Sequence, residues 1–113
     1  MKLLIIGAGG HGKCCYDIAS RMKVFTKIDF VDENASQVLN KQVVGKSADL
    51  KMLRNEYDYA FVAIGNNQLR YKIMQDLEEI GYKFPILIDP SAFVSEFANV
   101  EEGSGSPEGV LIR

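Results

Sequence analysis

Three glycines, Gly7, Gly9 and Gly12, stand at the G-x-G-x-x-G spacing inside "KLLIIGAGGHGKCCYDIA", and the only histidine of the chain, His11, lies within the same loop. Glycine backbone that runs into a helix leaves amide N–H groups and the positive helix end facing outward, and missing β-carbons let a phosphate approach. The spacing alone is a weak signal. Here it has the context that gives it meaning, an apolar strand before it and a helical pattern after it. Asp32 follows Gly12 at the distance, about 20 residues, where a carboxylate at the end of a second strand accepts hydrogen bonds from ribose hydroxyls, and Glu33 stands beside it. Gly65 and Asn66 follow a third apolar run, "YAFVAI". In an open α/β sheet these three strand ends share one edge, where such sheets bind ligands. A phosphate-bearing ligand is therefore expected, and spacing alone leaves both a nicotinamide dinucleotide and another phosphate ligand open. The bland alternative is that the glycines serve only close packing of helix on strand.

Other residues that carry chemistry read less sharply. His11 sits where a helix begins, and the helix end disfavours its charged form, so it is expected as a neutral donor to a ligand oxygen rather than a general base. Cys14 and Cys15 fall in the first turns of the same helix, where a thiolate is favoured; small core-facing residues are the simpler reading. "VGKS" at Val44 to Ser47 resembles the tail of a P-loop, but Asn40 occupies the position of the upstream glycine, so Lys46 and Ser47 read as loop and cap. Of the adjacent acidic pairs, Asp32-Glu33 lies at the crevice, whereas Glu78-Glu79 and Glu101-Glu102 read as solvated surface. No catalytic residue and no metal ligand is assigned.

The elements that must position these residues follow from hydrophobic periodicity. Lys2 to Ile6 is a continuous apolar run, as in a parallel strand covered on both faces. A helix is expected from Gly12 or Lys13 to about Met22, with Cys15, Ile18, Ala19 and Met22 on one stripe. Strands are expected at Lys27 to Val31, Tyr59 to Ile64 and Pro85 to Ile88, with "KQVVG" a short strand or arm. Ser47 is a candidate N-cap for a short helix around Asp49 to Asn55 that packs Leu50 and Leu53 inward. A second long helix spans Gln68 to Ile80, capped by Asn66 or Asn67, with Leu69, Ile73, Leu77 and Ile80 inward and Gly81 ending it. Strands alternating with helices predict an α/β fold, a Rossmann-like parallel sheet.

Composition bounds the remaining possibilities. The chain has 113 residues, 47% hydrophobic, with formal net charge −2. That is one domain with at most a short appendage, and enough apolar material for a core. The absence of a basic run argues against nucleic acid or an anionic membrane surface as partner. No apolar run approaches the ~18 residues of a membrane span, and "KLLII" is too short for a signal-peptide core. Adjacent cysteines are poor partners for one another, so a cytoplasmic location is expected.

Beyond Asp89-Pro90 the pattern changes. Val94 and Val100 stand six residues apart, with Ala92 and Ala98 two places before each. A six-residue period with one aliphatic per repeat points to a β-helix rung. "GSGSPEG" interrupts it, and "VLIR" reads as a strand. One rung cannot bury its face alone, so the C-terminal end is expected to be cut short.

Taken together, "KLLIIGAGGHGKCCYDIA", "FVDEN", "YDYAFVAIGNNQLRYKI" and "ILIDPSAFVSEFANVEEG" resemble the N-terminal half of the bacterial sugar acetyltransferases of the left-handed β-helix class. This is the sialic acid O-acetyltransferase-like family, and the likeness is greatest to its UDP-4-amino-sugar N-acetyltransferase branch in bacillosamine biosynthesis. The resemblance implies a Rossmann-like UDP-sugar-binding domain over residues 1–90 and the start of a hexapeptide-repeat β-helix over 91–113. It implies that Gly9, Gly10 and His11 contact a UDP-linked amino sugar, that Asp32 and Glu33 meet the uridine portion, and that Gly65 and Asn66 line the same pocket. It further implies that acetyl-CoA, a histidine base and a trimer interface belong to the β-helix. This chain is then expected to bind no acetyl-CoA and to lack catalysis and trimer contacts of its own. The rivals are an NAD(P)-binding piece of an oxidoreductase and a non-catalytic sugar-nucleotide-binding module.

Overall fold

The computed structural model describes residues 1–90 and two further strands, Val100–Glu101 and Leu111–Ile112. In chain order the elements are β1 (Lys2–Ile6), α1 (Gly10–Met22), β2 (Lys27–Val31), β3 (Gln37–Val38), β4 (Lys41–Gln42), a 3₁₀ turn over Ser47–Asp49, α2 (Leu50–Leu53), β5 (Tyr59–Val62), α3 (Asn67–Ile80), β6 (Leu87–Ile88), β7 (Val100–Glu101) and β8 (Leu111–Ile112). The central sheet is parallel in the order β2-β1-β5. This is the Rossmann-like sheet that the apolar runs predict.

β1 is the spine of the core because alternation sends its side chains to opposite faces. Leu3 and Ile5 pack with Cys15, Ile18 and Ala19 of α1, while Leu4 and Ile6 pack with Leu50 and Leu53 of α2 and Met74 and Leu77 of α3. Leu3, Leu4 and Ile5 are fully buried and Ile6 nearly so. Each contributes about 1.5–3 kcal/mol of hydrophobic stabilisation. With α1 on one face and α2 and α3 on the other, the connections reverse beside β1, the place where such sheets open a crevice at their carboxyl edge.

The buried Tyr57 and Tyr82 hydroxyls are matched, whereas the Nε of Arg70 is buried without a hydrogen-bond partner among the described residues. The Tyr57 hydroxyl donates to the buried Asp29 carboxylate, which Lys41 Nζ also approaches at 3.2 Å. Burial, aided by that carboxylate, pushes the Tyr57 phenol well up. The Tyr82 phenol is pushed up to about 12 by burial, and its hydroxyl donates to the Leu50 carbonyl at 2.7 Å.

Three expectations are corrected. α1 begins at Gly10, not at Gly12 or Lys13, so Gly10, His11 and Gly12 form its first turn. Ser47 is not an N-cap; it opens the 3₁₀ turn, and the Asp49 carboxylate accepts the Lys46 N–H at 2.9 Å instead. The strand expected at Pro85 to Ile88 is only Leu87–Ile88, and it pairs with β8 rather than extending the main sheet. The chain does run beside β5 as far as Lys83, whose N–H and carbonyl bond to Asp58 and Ala60. Pro85 then offers no N–H to continue that ladder. β8 lies parallel to β6 and antiparallel to β7. The hexad around Val94 lies outside the described residues.

"KQVVG" becomes β4 and an arm along β2, with Val44 N–H on the Phe30 carbonyl and Asp32 N–H on the Gly45 carbonyl. The β3–β4 turn holds Leu39 at φ 50° and Asn40 at φ 62°. A two-residue hairpin loop with both φ positive favours Asn or Gly, and leucine is strained there. Leu39 is also about half exposed. Leu39→Asn is expected to stabilise the fold by about 0.5–1 kcal/mol, read as a higher urea midpoint at unchanged m-value.

Candidate functional site

The glycine loop divides into two pairs with different duties. Gly7 holds φ 112°, donates its N–H to the Val31 carbonyl at 2.8 Å, and would place a β-carbon 2.6 Å from the Ala63 carbonyl oxygen. A β-carbon on Gly12 would stand 1.9 Å from the Gly7 carbonyl oxygen. For these two the packing explanation is sufficient. Gly9 and Gly10 are different: an added β-carbon at either meets no atom of the described residues within 4 Å. Gly9 is the N-cap of α1, without a side-chain cap, and the first turn carries no acid. The positive end of the helix thus opens onto free space beside two residues with no side chain. His11 is half-buried in that same turn.

Asp32 holds this loop in place. Its Oδ2 accepts the Ala8 N–H, and its Oδ1 accepts the N–H groups of Asn34 and Ala35, all at 2.8 Å. The Ala35 amide, with those of Ala8 and Asn34, draws the carboxyl below the usual carboxylate range despite partial burial. Glu33 is engaged as well. Its Oε1 accepts the hydroxyl of Ser47 and, at 2.8 Å, the Ser47 N–H, and the same bonds lower its carboxyl, the hydroxyl most. Both acids therefore organise main chain at the crevice. A carboxylate with one or two bonds per oxygen still has lone pairs to offer a ligand.

On the facing strand end, Asn66 caps α3 through its Oδ1, which accepts the Leu69 N–H at 2.9 Å. That leaves its NH₂ group as donor. A β-carbon on Gly65 meets no atom of the described residues within 4 Å. Arg70 braces this turn through the Asn67 side chain at 2.6 Å and the Ile64 carbonyl at 3.5 Å.

A cleft of about 320 Å³ opens between the ends of β1 and β2 and the first turns of α3. Of the candidates, Asp32 and Glu33 line it together with Gly7; Gly9, Gly10, His11, Gly65 and Asn66 lie at the same strand ends but not on its walls. The sequence reading missed Ser47, Leu69 and Lys72, which do line it. Helical spacing predicts Leu69 in the core, yet it is 47% exposed and lines this cleft. Cys15 is fully buried and Cys14 half-buried against the core under α1, as small packing residues are.

Residues 2–77 match the family model of the PglD N-terminal domain. The chain belongs to this family. The PglD N-terminal domain fold recurs in the acetyltransferase domain of PglB from Neisseria gonorrhoeae FA1090 in complex with acetyl coenzyme A, at 38% identity and TM-score 0.76, over 84% of this chain and 47% of that one. It recurs in PerB from Caulobacter crescentus in complex with CoA and GDP-perosamine, at 37% identity and TM-score 0.74, over 85% of this chain and 46% of that one. The chain spans about half the length of these acetyltransferases. UDP-D-quinovosamine 4-dehydrogenase from Vibrio fischeri shares the fold at 18% identity and TM-score 0.61, a likeness of fold alone.

Two outcomes follow for a PglD N-terminal domain built this way. Gly12→Ala drives a β-carbon into the Gly7 carbonyl and is expected to cost the upper end of the ~1–3 kcal/mol typical of overpacking or to prevent folding, whereas Gly10→Val folds, as read by circular dichroism and urea unfolding. The Asp32 carboxyl, lowered in the folded state, stabilises above its unfolded value of about 3.9, and that stabilisation is lost as pH falls through the folded value. Asp32→Asn is expected to lose about 1–3 kcal/mol at pH 7, because one N–H then faces an NH₂, and to flatten the pH dependence of the urea midpoint below about pH 4.

Proposed function

We propose that this chain is the nucleotide-sugar-binding domain of an acetyl-CoA-dependent sugar N-acetyltransferase. The observation that carries the reading is the open pair Gly9-Gly10 at the uncapped start of α1. A diphosphate set there accepts amide N–H groups and meets the positive helix end. On this reading Gly9, Gly10 and His11 hold the diphosphate and the sugar linked to it. Asp32 and Glu33 offer their remaining lone pairs to the nucleoside, and Gly65 and Asn66 close the pocket from the β5 side. The expected ligand is a UDP-linked amino sugar; the GDP-perosamine in PerB makes a guanine nucleotide the alternative to test.

Residues 1–90 form the sugar-nucleotide domain on this account, and 91–113 begin the hexapeptide β-helix. Acetyl transfer forms the bond between the sugar nitrogen and the acetyl carbon, releases CoA thiol, and passes the amine proton to a base. None of these steps is assigned to residues 1–90, whose part is to bind and orient the sugar nucleotide. Acetyl-CoA and trimer contacts are placed with the β-helix, and the location is cytoplasmic. No helix among the described residues is long and apolar enough to cross a membrane.

Calorimetric titration with UDP, GDP and NADH tests the reading. Saturable binding of UDP or GDP is expected, with affinity lost in folded Gly10→Val and reduced in His11→Ala by about 0.5–1.5 kcal/mol, the net value of one hydrogen bond. Saturable NADH binding with neither UDP nor GDP bound would favour the oxidoreductase reading that the glycine spacing and Asp32 leave open.

A further inference from the structure

A charged group lies inside the core, away from the glycine loop. Among the described residues only Asp29 is both charged and buried, 7% exposed on β2. It stands beside Leu4 of β1, and alternation puts it on the sheet face of Val31, where Tyr57, Leu50 and Leu53 pack. Its partners come from separate parts of the chain. The Tyr57 hydroxyl donates to Oδ2, Lys41 Nζ from β4 stands 3.2 Å from Oδ1, and Lys27 Nζ stands 3.9 Å from Oδ2. Lys27 is shared with Glu56 at 3.2 Å. Among the described acids Lys41 pairs with Asp29 alone, and its ammonium also lies 5.8 Å from the centre of the Tyr16 ring on α1. None of these residues lines the cleft. A buried ion pair is a poor way to stabilise a fold, because desolvation offsets its attraction and apolar side chains often serve as well or better. Its best-attested use is to fix register. Here the register concerned is that of β4 and the arm after it. The β3–β4 hairpin has two residue pairs and a strained turn, and such a hairpin is marginal on its own. From Lys41 the arm runs along β2, with the Val44 N–H on the Phe30 carbonyl and the Gly45 carbonyl on the Asp32 N–H. It ends with Ser47 on the Glu33 carboxylate at the rim of the crevice. The arm thus supports the main chain of one crevice acid and the side chain of the other.

We propose that Lys41 and Asp29 are positioning residues for nucleotide binding: their ion pair fixes the register of the arm on β2, and the arm aligns Asp32 and Glu33. The inference rests on the nucleotide-sugar reading above and adds a control point outside the site. A slip of the arm carries Gly45 off the Asp32 N–H and Ser47 off Glu33. The two acids must then be reordered when the nucleotide enters, a cost that the fixed arm avoids. Tyr57 supplies the hydrogen bond that lets the Asp29 carboxylate stay charged inside the core.

The test removes the charges together, so that neither is left buried and unpaired. The triple variant Asp29→Val/Lys41→Met/Tyr57→Phe replaces the pair and its hydroxyl by apolar groups, a change that is close to neutral when all partners go at once. Lys41→Gln is the second variant: its side chain is about one-third exposed, and it keeps a donor for Asp29 without the charge. Each 113-residue chain is titrated with UDP, GDP and inorganic pyrophosphate, and followed by urea unfolding and amide hydrogen exchange. The triple variant is expected to keep the wild-type urea midpoint or exceed it. In both variants exchange is expected to quicken at Asp32, Val44 and Ser47 and to stay unchanged at Leu4 and Ile5. The nucleotide that wild type binds is expected to weaken by about fivefold or more in the triple variant, and less in Lys41→Gln, with pyrophosphate within about twofold. Unchanged nucleotide affinity in the folded variants would overturn the positioning role and leave the nucleotide-sugar reading intact. Loss of nucleotide and pyrophosphate together, with faster exchange at Leu4 and Ile5, would show general loosening and would also overturn it. Wild-type protein that bound neither UDP nor GDP would sink the parent reading and this inference with it.

Discussion

The backbone of α1 crosses the Gly7 carbonyl so closely that a β-carbon on Gly12 would stand 1.9 Å from its oxygen. That approach sets where α1 starts relative to the end of β1. It draws the helix's first amides up to the carboxyl edge of the sheet, and the left-handed Gly7 makes the turn that allows it. Gly7 in turn leans on the Ala63 carbonyl, so the β5–α3 turn is held against the same point. Among the described residues, none comes within 4 Å of a β-carbon placed on Gly9 or Gly10.

Two acids make this arrangement rigid. Asp32 ties the loop after β1 to the loop after β2 through three amides, and Glu33 ties the second loop to the 3₁₀ turn at Ser47. These carboxylates stay charged through the neutral range because amide and hydroxyl donors favour the ionised form. Pre-aligned N–H groups and a fixed rim lower the ordering cost of binding. In a dinucleotide enzyme the acid at Asp32 is expected mainly on a ribose; here its first duty is to the main chain.

Much of this was legible in the sequence. Continuous apolar runs gave β1 and β5 because strands buried on both faces cannot alternate. Asn66 or Asn67 as a side-chain cap and Gly81 as a left-handed C-cap mark the ends of α3 by their own chemistry, and the cap is Asn66. Other features depended on tertiary contacts that no local pattern encodes. α1 starts at Gly10 although glycine has low helix propensity, so a start at Gly12 or Lys13 is what local pattern alone gives. Helical spacing placed Leu69 on the apolar stripe but could not say whether that stripe met core or cleft. Ser47 looked like a cap, whereas its hydroxyl serves Glu33 from 14 residues away. Local pattern makes Pro85 to Ile88 a sheet member, but the proline has no N–H to continue the ladder beside β5, and Leu87–Ile88 pairs with β8.

The family explains why a dinucleotide spacing and a sugar acetyltransferase likeness coexist. A strand–glycine–helix edge binds phosphate for backbone reasons that do not depend on what the phosphate carries. What distinguishes the passenger is the pocket beyond the loop, here a cleft walled by five aliphatic and six polar side chains. The central claim, that the open amides of the loop hold the diphosphate, is tested most directly by amide chemical-shift mapping with UDP and GDP. The account predicts the largest shifts at Gly9, Gly10 and His11, with little change at Met1, Lys2 and Asp58 on the opposite edge. Saturable binding that left the Gly9 and Gly10 amides unmoved would contradict it.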